Sequence, residues 1–282
     1  HLFSLGGTEL IPEARGGATL GNSSFLAVYL LFHTFFGLFV ASQQKKKEGT
    51  YLWLGVAVFL ALAITTVSAN AVQYSLMGGI VLLGALLLIV QSRSKTKKRL
   101  GVCLLALLTM IFISVPLLAF SPESSVHQKL IEISSGSRFA LWDSAWEGIK
   151  ERPWLGWGLE NFGVVSLTHY NPCFGSQACG FEMWFDHAHN KLLDVWIESG
   201  ILGLLLYLGI LITTISQLWQ AQRQKRITGM TFTIFTALLA AYFVQNLTVL
   251  DTMTSLLCWI FVLAFTNAAQ DPTQQKSKMI SV

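Results

Sequence analysis

Long apolar runs without charge alternate with short polar loops along this chain. A helix needs about 20 apolar residues to cross the roughly 30 Å hydrocarbon core of a bilayer. Seven runs of about this length lack Lys, Arg, Asp and Glu, and they cover residues 24–41, 51–69, 74–90, 100–120, 200–218, 230–247 and 252–268. The pattern predicts an all-α polytopic membrane protein with about seven transmembrane helices, the second and third joined by a tight turn at residues 70–73.

Basic residues in the short loops predict the orientation of these spans. Loops 42–50, 91–99, 219–229 and the tail from residue 269 hold three, five, three and two Lys or Arg. Seven spans place all four segments on one side, which the positive-inside rule makes cytoplasmic. The predicted organisation is a periplasmic segment, four spans, a helical periplasmic loop domain, three spans and a cytoplasmic tail, at residues 1–23, 24–120, 121–199, 200–268 and 269–282.

Composition supports a membrane protein and narrows its class. Of 282 residues, 53% are hydrophobic and 12% charged, and the mean hydropathy is +0.56. Because the chain begins at His1 without a basic n-region and cleavage site, we expect further spans on its N-terminal side. A polysaccharide or lipid transporter, the non-enzymatic alternative, would place charged residues within its spans. Here the polar groups gather in the outer segment, which favours chemistry at the membrane surface.

The outer segment from 121 to 199 is too long for a plain connector and predicts helices of its own. Large apolar residues recur there at helical spacing, which indicates an amphipathic helix lying on the membrane face and ending before Pro153. These residues are Phe139, Trp142, Trp146 and Ile149. Six of the nine tryptophans fall in this segment, where they form an interfacial belt or stack on sugars.

A cluster of polar residues precedes the fifth span. We expect a helix to begin at Asp186 or His187 and run into this span, with Gly200 as the first residue of the span. His187 and Asp194 then share a helix face. Glu198 either marks the helix entry, orients a histidine or binds a sugar.

Cys173 and Cys179 lie in the outer segment with five residues between them. Asn, Pro and Gly residues surround them, and this favours a disulfide-closed turn in an oxidising compartment. A two-cysteine metal site with the nearby histidines is the alternative, although the spacing is not a usual zinc pattern.

Three motifs carry a family resemblance. His189 and Asn190, nine residues, Gly200, two residues and Gly203 resemble the signature of the bacterial O-antigen ligase and O-antigen polymerase superfamily. Residues 135–138, Ser-Gly-Ser-Arg, precede Trp142 and a glycine-rich stretch at 153–162 in an order similar to the family's outer loop. Residues 16–31, preceded by Arg15, resemble its segment before the first span. The chain departs from the family at 69–70, where Ala-Asn replaces a frequent Ser-Arg pair, and at 22–24.

The resemblance implies an inner-membrane glycosyltransferase with a GT-C-like fold. Its donor is a glycan on undecaprenyl diphosphate, and it works at the periplasmic face without metal or cofactor. The expected partners are this donor, a lipid A core or glycan acceptor and membrane lipids, and no nucleic acid. The form of the signature favours a ligase, with an O-antigen or exopolysaccharide polymerase or a protein O-oligosaccharyltransferase as alternatives.

The resemblance also assigns roles to individual residues. His189 is the expected base for the acceptor hydroxyl, with His187 as its substitute; alternatively, both cap a helix. Arg138 and Arg15 are expected to grip the diphosphate, unless they are solvated loop charges. Further expected substrate contacts come from Lys191, Glu198, Asn190 and Trp142, although a snorkelling lysine is the other reading of Lys191.

Overall fold

The computed structural model describes residues 20–119, 121, 123–134, 137–179, 181 and 184–271. Within these ranges the chain is helical and contains no strand. Its α-helices are α1 Ser23–Gln43, α2 Lys47–Thr66, α3 Asn70–Val90, α4 Lys95–Ala119, α5 Ser125–Ser134, α6 Ser137–Glu151, α7 Phe162–Thr168, α8 Lys191–Arg223, α9 Gly229–Gln245 and α10 Met253–Ala268. Short 3₁₀ turns cover Pro172–Gly175 and Gln177–Cys179.

Each of the seven predicted spans corresponds to one helix, beyond which it extends by no more than three residues in the described ranges. Helices α1, α2, α3, α4 and α8 are long and apolar enough to cross a membrane, whereas α9 and α10 are apolar but only 17 and 16 residues long. The chain is therefore an all-helical, multi-pass membrane protein with five helices of full spanning length among its described residues.

The expected turn at residues 70–73 is wrong, because α3 already begins at Asn70. The connection is shorter and consists of residues 67–69. Gln73 makes this possible from within α3, since its side-chain amide donates to the carbonyl oxygens of Val67 and Ile64 at 2.9 and 3.3 Å. The Ile64 and Val67 carbonyls also accept from the backbone N–H groups of Val67 and Ala69, so Gln73 and the connection together close the end of α2.

Small residues allow the apolar helices to approach closely. A Cβ atom at Gly37 of α1 would lie 3.2 Å from that of Ala57 on α2, and one at Gly79 of α3 would lie 2.9 Å from that of Ala241 on α9. Phe35 also contacts Gly79 and belongs to the same core. Such contacts hold helices together in a bilayer, where apolar burial contributes little.

A second hydrophobic core lies in the outer segment, between α6, α7 and the start of α8. The predicted apolar stripe of α6 coincides only partly with the face that packs in this core. Ile149 is buried, but Trp146 is 49% exposed and the helix instead buries Ala140, Leu141 and Ala145. Small side chains let α6 pack closely on α7, as at Gly148, where an added Cβ would overlap Val165.

Candidate active site

The site begins at the N-terminus of α8. Sequence reasoning started this helix at Asp186 or His187, but it begins at Lys191. Asn190 is its N-cap, and the side-chain oxygen of Asn190 accepts from the backbone N–H groups of Leu192 and Leu193 at 3.0 and 3.4 Å. This capping fixes the helix start because asparagine satisfies donors that otherwise lack partners. The shared helix face of His187 and Asp194 is therefore also wrong.

His189 lies in the turn directly before this cap, with a backbone φ of +53°. Few residues other than glycine adopt this left-handed conformation, and such residues concentrate at functional sites. Its Nδ1 lies 3.2 Å from the carbonyl oxygen of His187. A carbonyl oxygen only accepts hydrogen bonds, so this contact requires a proton on Nδ1. In the neutral ring Nε2 then carries the lone pair, which is the form a general base needs.

Residues 187–189, the histidine turn, are held in place by Asp194 in the first turn of α8. Asp194 is 2% exposed, and its Oδ1 accepts from the backbone N–H of Ala188 at 2.7 Å. Asp194 belongs to the polar stretch 191–199, which precedes the apolar run of α8. The pKa of Asp194 is raised to about 6, chiefly by burial and also by Glu198, while the Ala188 N–H, His187 and Lys191 oppose the rise. The histidine turn is thus tied to a carboxyl group with an unusually high pKa.

Helix α6 packs against the same turn. The indole Nε1 of Trp142 donates to the carbonyl oxygen of Ala188 at 3.0 Å. Arg138 lies one helical turn before Trp142 and hence on the same side of α6. It is half-buried. Residues almost fifty positions apart in sequence are thereby brought to one end of α8.

Helix α8 is interrupted at Gly200, nine residues after its start. Gly200 has φ +65° and ψ −172°, so the helix that was expected to run into the fifth span is broken at this residue. The break leaves backbone groups without helical partners, and the loop after α6 pairs with them. Trp157 N donates to Ile197 O at 2.6 Å, and Gly158 N donates to Glu198 O at 3.0 Å.

The other side of the break is paired in the same way, since Ile201 N donates to Pro153 O at 2.8 Å. Gly156, with φ +72°, lies so close that a Cβ there would be 2.7 Å from Gly200 N. A Cβ at Gly200 would overlap the Trp154 carbonyl. The glycines at 156 and 200 therefore allow a loop and an open helix turn to share one set of hydrogen bonds.

Comparison with known proteins decides the family. The sequence profile of the Wzy_C family, described as O-antigen ligase, matches residues 58–208. The chain belongs to the O-antigen ligase family. Among curated proteins it is similar to an uncharacterized protein of Haemophilus influenzae, strain Rd, with 23% identity over 232 residues. This match covers 76% of the chain and 53% of the relative, so the chain spans about half the length of the curated relative it matches.

Lys191 of this O-antigen ligase family member has a partner that sequence reasoning missed. Its Nζ lies 3.5 Å from Oδ2 of Asp251, whose side chain is 5% exposed. Tyr242 and Ser255 donate hydroxyl hydrogen bonds to the other carboxylate oxygen at 2.5 and 3.3 Å. Asp251 lies in the connection between α9 and α10. The sequence does distinguish Asp251, because it is the single charged residue between positions 227 and 270, and an isolated charge between apolar runs indicates a partner or a function.

Asn246 completes this cluster and joins it to the start of α8. Its side-chain amide lies 3.4 Å from Asp251 Oδ1, and its backbone carbonyl accepts from Lys191 N at 2.8 Å. The connection between α9 and α10 therefore supports the residue that follows the helix cap. The buried carboxylate is compensated by one cation and three polar side chains.

Cys173 and Cys179 form the predicted disulfide, with their Cα atoms 5.5 Å apart. The turn closed by this disulfide packs beside the residues that lead into the histidine turn, because the rings of Phe174 and Phe185 lie 4.8 Å apart. Ser166 of α7 also donates to the Phe185 carbonyl at 3.4 Å. Within the described ranges no group of three His, Cys, Asp or Glu is arranged to hold a metal ion.

The structure separates the remaining candidate residues by position. The carboxylate of Glu198 accepts from the backbone N–H of Glu160 at 3.3 Å, which places Glu198 beside the loop that follows α6. Trp142 donates to the backbone of the histidine turn, whereas the side chain of Asn190 accepts from the first backbone N–H groups of α8. Arg15 lies outside the described residues. His187, His189 and the N-terminal part of α6 are the candidates that come together.

Proposed function

We propose that this chain is the catalytic part of an inner-membrane glycosyltransferase of O-antigen ligase type. It moves a glycan from undecaprenyl diphosphate to an acceptor hydroxyl of the lipid A core at the periplasmic face. Family membership supports the class of reaction. The observation that carries the proposal is the packing of the α6 helix, which contains Arg138, against the turn that contains His189.

His189 takes the role of general base in this proposal. Transfer to a hydroxyl requires removal of its proton as oxygen attacks the anomeric carbon of the donor. The contact of Nδ1 with the His187 carbonyl is consistent with an Nε2 that accepts this proton. A positioned base of this kind contributes about 10²- to 10⁴-fold in rate.

Arg138 serves the leaving group. The diphosphate gains negative charge as the glycosidic bond breaks, and a guanidinium binds phosphate oxygens through paired N–H donors. Arg138 is in the first turn of α6, at the end of this helix that Trp142 connects to the histidine turn. Arg15 is a second proposed phosphate ligand.

The orientation is part of the proposal. The loops with the most Lys and Arg, 42–50, 91–99 and 219–229, connect apolar helices at the end opposite to the histidine turn if α1 to α4 and α8 to α10 all cross the membrane. The positive-inside rule then places His189 in the periplasm. The Cys173–Cys179 disulfide supports an oxidising compartment.

Glycan analysis of a deletion strain tests the proposal. The strain is complemented with wild type, His189→Ala, Arg138→Ala or, as a matched control, the exposed Arg152→Ala. For a ligase, both site variants leave long glycan on the lipid carrier and no glycan on lipid A, while Arg152→Ala restores the wild-type pattern.

Two outcomes contradict the proposal in different ways. If the strains with the two site variants carry lipid A capped with single repeats, the chain acts as a polymerase of the same superfamily. Normal glycans with His189→Ala show that His189 is not the base.

A further inference from the structure

We propose that the loop formed by residues 153–160, the anchor loop, inserts apolar side chains into the lipid bilayer at its outer surface. Its partner is membrane lipid, and the inserting residues are Trp154, Leu155 and Leu159. The inference concerns how the outer segment is held at the membrane and holds for a ligase or a polymerase.

The three side chains are unusually exposed for their size and type. Trp154 is 70% exposed, and Leu155 and Leu159 are each 74% exposed. The loop is nevertheless well fixed, because Trp157 in its centre donates through Nε1 to the Gly148 carbonyl at 2.8 Å. A rigid loop that presents three large apolar side chains marks an interaction surface.

Hydrogen bonds fix the height of this loop along α8. Pro153, Trp157 and Gly158 bond to the backbone at residues 197, 198 and 201. The Trp154 backbone also touches Gly200. This is the level at which the polar part of α8 ends and its uncharged run begins. The anchor loop therefore lies at the border between the outer segment and the apolar helices.

Exposed apolar side chains also follow the break on α8. Leu202, Leu205 and Leu206 are 53%, 58% and 72% exposed. At 1.5 Å per residue they lie within about 10 Å of the break. In a multi-pass membrane protein such a surface meets lipid, and tryptophan at its edge is typical of the membrane interface.

Charge does not select the lipid. Arg152 is exposed and lies 4.3 Å from the centre of the Trp157 ring, but Glu151 and Glu160 are exposed in the same stretch. Since the neighbouring charges have mixed sign, insertion is driven by apolar burial. We therefore expect the anchor loop to insert into zwitterionic membranes as well as anionic ones.

Spin labelling of the full-length protein in phosphatidylcholine vesicles tests the inference. Nitroxides are attached at Leu155→Cys and Leu159→Cys in a Cys103→Ser background, with Leu206→Cys as the bilayer control and Glu147→Cys as the aqueous control. We expect positions 155 and 159 to be accessible to oxygen and protected from a water-soluble nickel chelate, as at 206. Nickel accessibility equal to that at 147 overturns the inference, as does protection from both reagents, which indicates a protein partner.

A second measurement uses the native loop and avoids labelling. Tryptophan fluorescence is quenched with brominated phosphatidylcholine in the wild type and in Trp154→Phe. We expect the quenched part of the emission to be smaller in the variant, because an inserted tryptophan has been removed. An unchanged quenched part in Trp154→Phe means that Trp154 does not reach the lipid.

Discussion

The two ends of the signature from His189 to Gly203 differ in how they are held. The histidine end is a turn with a left-handed His189, fixed by single hydrogen bonds from Trp142 and to Asp194. At the glycine end, Ile197 O, Glu198 O and Ile201 N are hydrogen-bonded to the anchor loop. We call this contact around Gly200 the glycine joint. One motif thus combines two roles: its histidine end carries the proposed base, and its glycine end fixes how α8 joins the anchor loop.

The largest effect is expected from a substitution in the glycine joint. Gly200→Val places a branched side chain at φ +65° against the Trp154 carbonyl. The left-handed backbone alone costs about 1–2 kcal/mol, and overlap with a fixed backbone adds more. We expect the folded protein not to accumulate, as measured by size exclusion in detergent.

Gly209→Val is the matched control for this joint. A Cβ at Gly209 meets nothing within 4 Å, and the residue belongs to the same helix. We expect this variant to accumulate like the wild type. Equal accumulation of the two valine variants contradicts the proposed joint.

The Lys191–Asp251 pair is expected to have the next largest effect. Lys191→Met leaves the carboxylate of Asp251 buried without its cation, which costs about 3–5 kcal/mol. The thermal unfolding temperature in detergent should fall. Adding Asp251→Asn removes the unpaired charge and should restore much of the loss; a double variant no more stable than Lys191→Met indicates that charge is not the cause.

A smaller effect is expected from the bond between α6 and the histidine turn. Trp142→Phe keeps an aromatic ring but removes the donor to Ala188 O, which costs about 1 kcal/mol. The unfolding temperature should fall slightly. Trp146→Phe is the control, since Trp146 is half exposed. Equal unfolding temperatures for the two variants contradict the proposed support by α6.

The smallest expected effect is on pH dependence. Burial raises the pKa of Asp194 from 3.8 to about 6, so the folded protein binds a proton more tightly than the unfolded chain. The contribution of this carboxyl is favourable at low pH and is lost as pH rises from about 4 through 6. In Asp194→Asn, which retains an oxygen for the Ala188 N–H, stability should change less with pH over this window. An unchanged slope excludes Asp194 as its source.

Hydropathy was sufficient to place the apolar helices. The runs from 24–41 to 252–268 each correspond to one helix, because a lipid-facing segment has few alternatives to a helix. The disulfide was also predicted, since its two cysteines are close in sequence. These features depend on local composition.

Features that depend on distant partners were not predictable in the same way. The break at Gly200 was not predicted, because the hydropathy pattern does not show that Pro153 and Trp157 bond to the opened helix. The face of α6 that packs on the protein was not predicted, because its close contacts come from Ala140, Ala145 and Gly148, which lie outside the stripe of large apolar residues. Asp251 was passed over because its partner Lys191 is sixty residues earlier.

The most direct test of the proposed chemistry is glycan transfer by the purified full-length protein carrying His189→Asn. Asparagine tolerates the left-handed backbone at this position but does not act as a base. The account predicts a rate lower by about 10²- to 10⁴-fold with an unchanged unfolding temperature. A transfer rate within a few fold of wild type would contradict the assignment of His189 as the base.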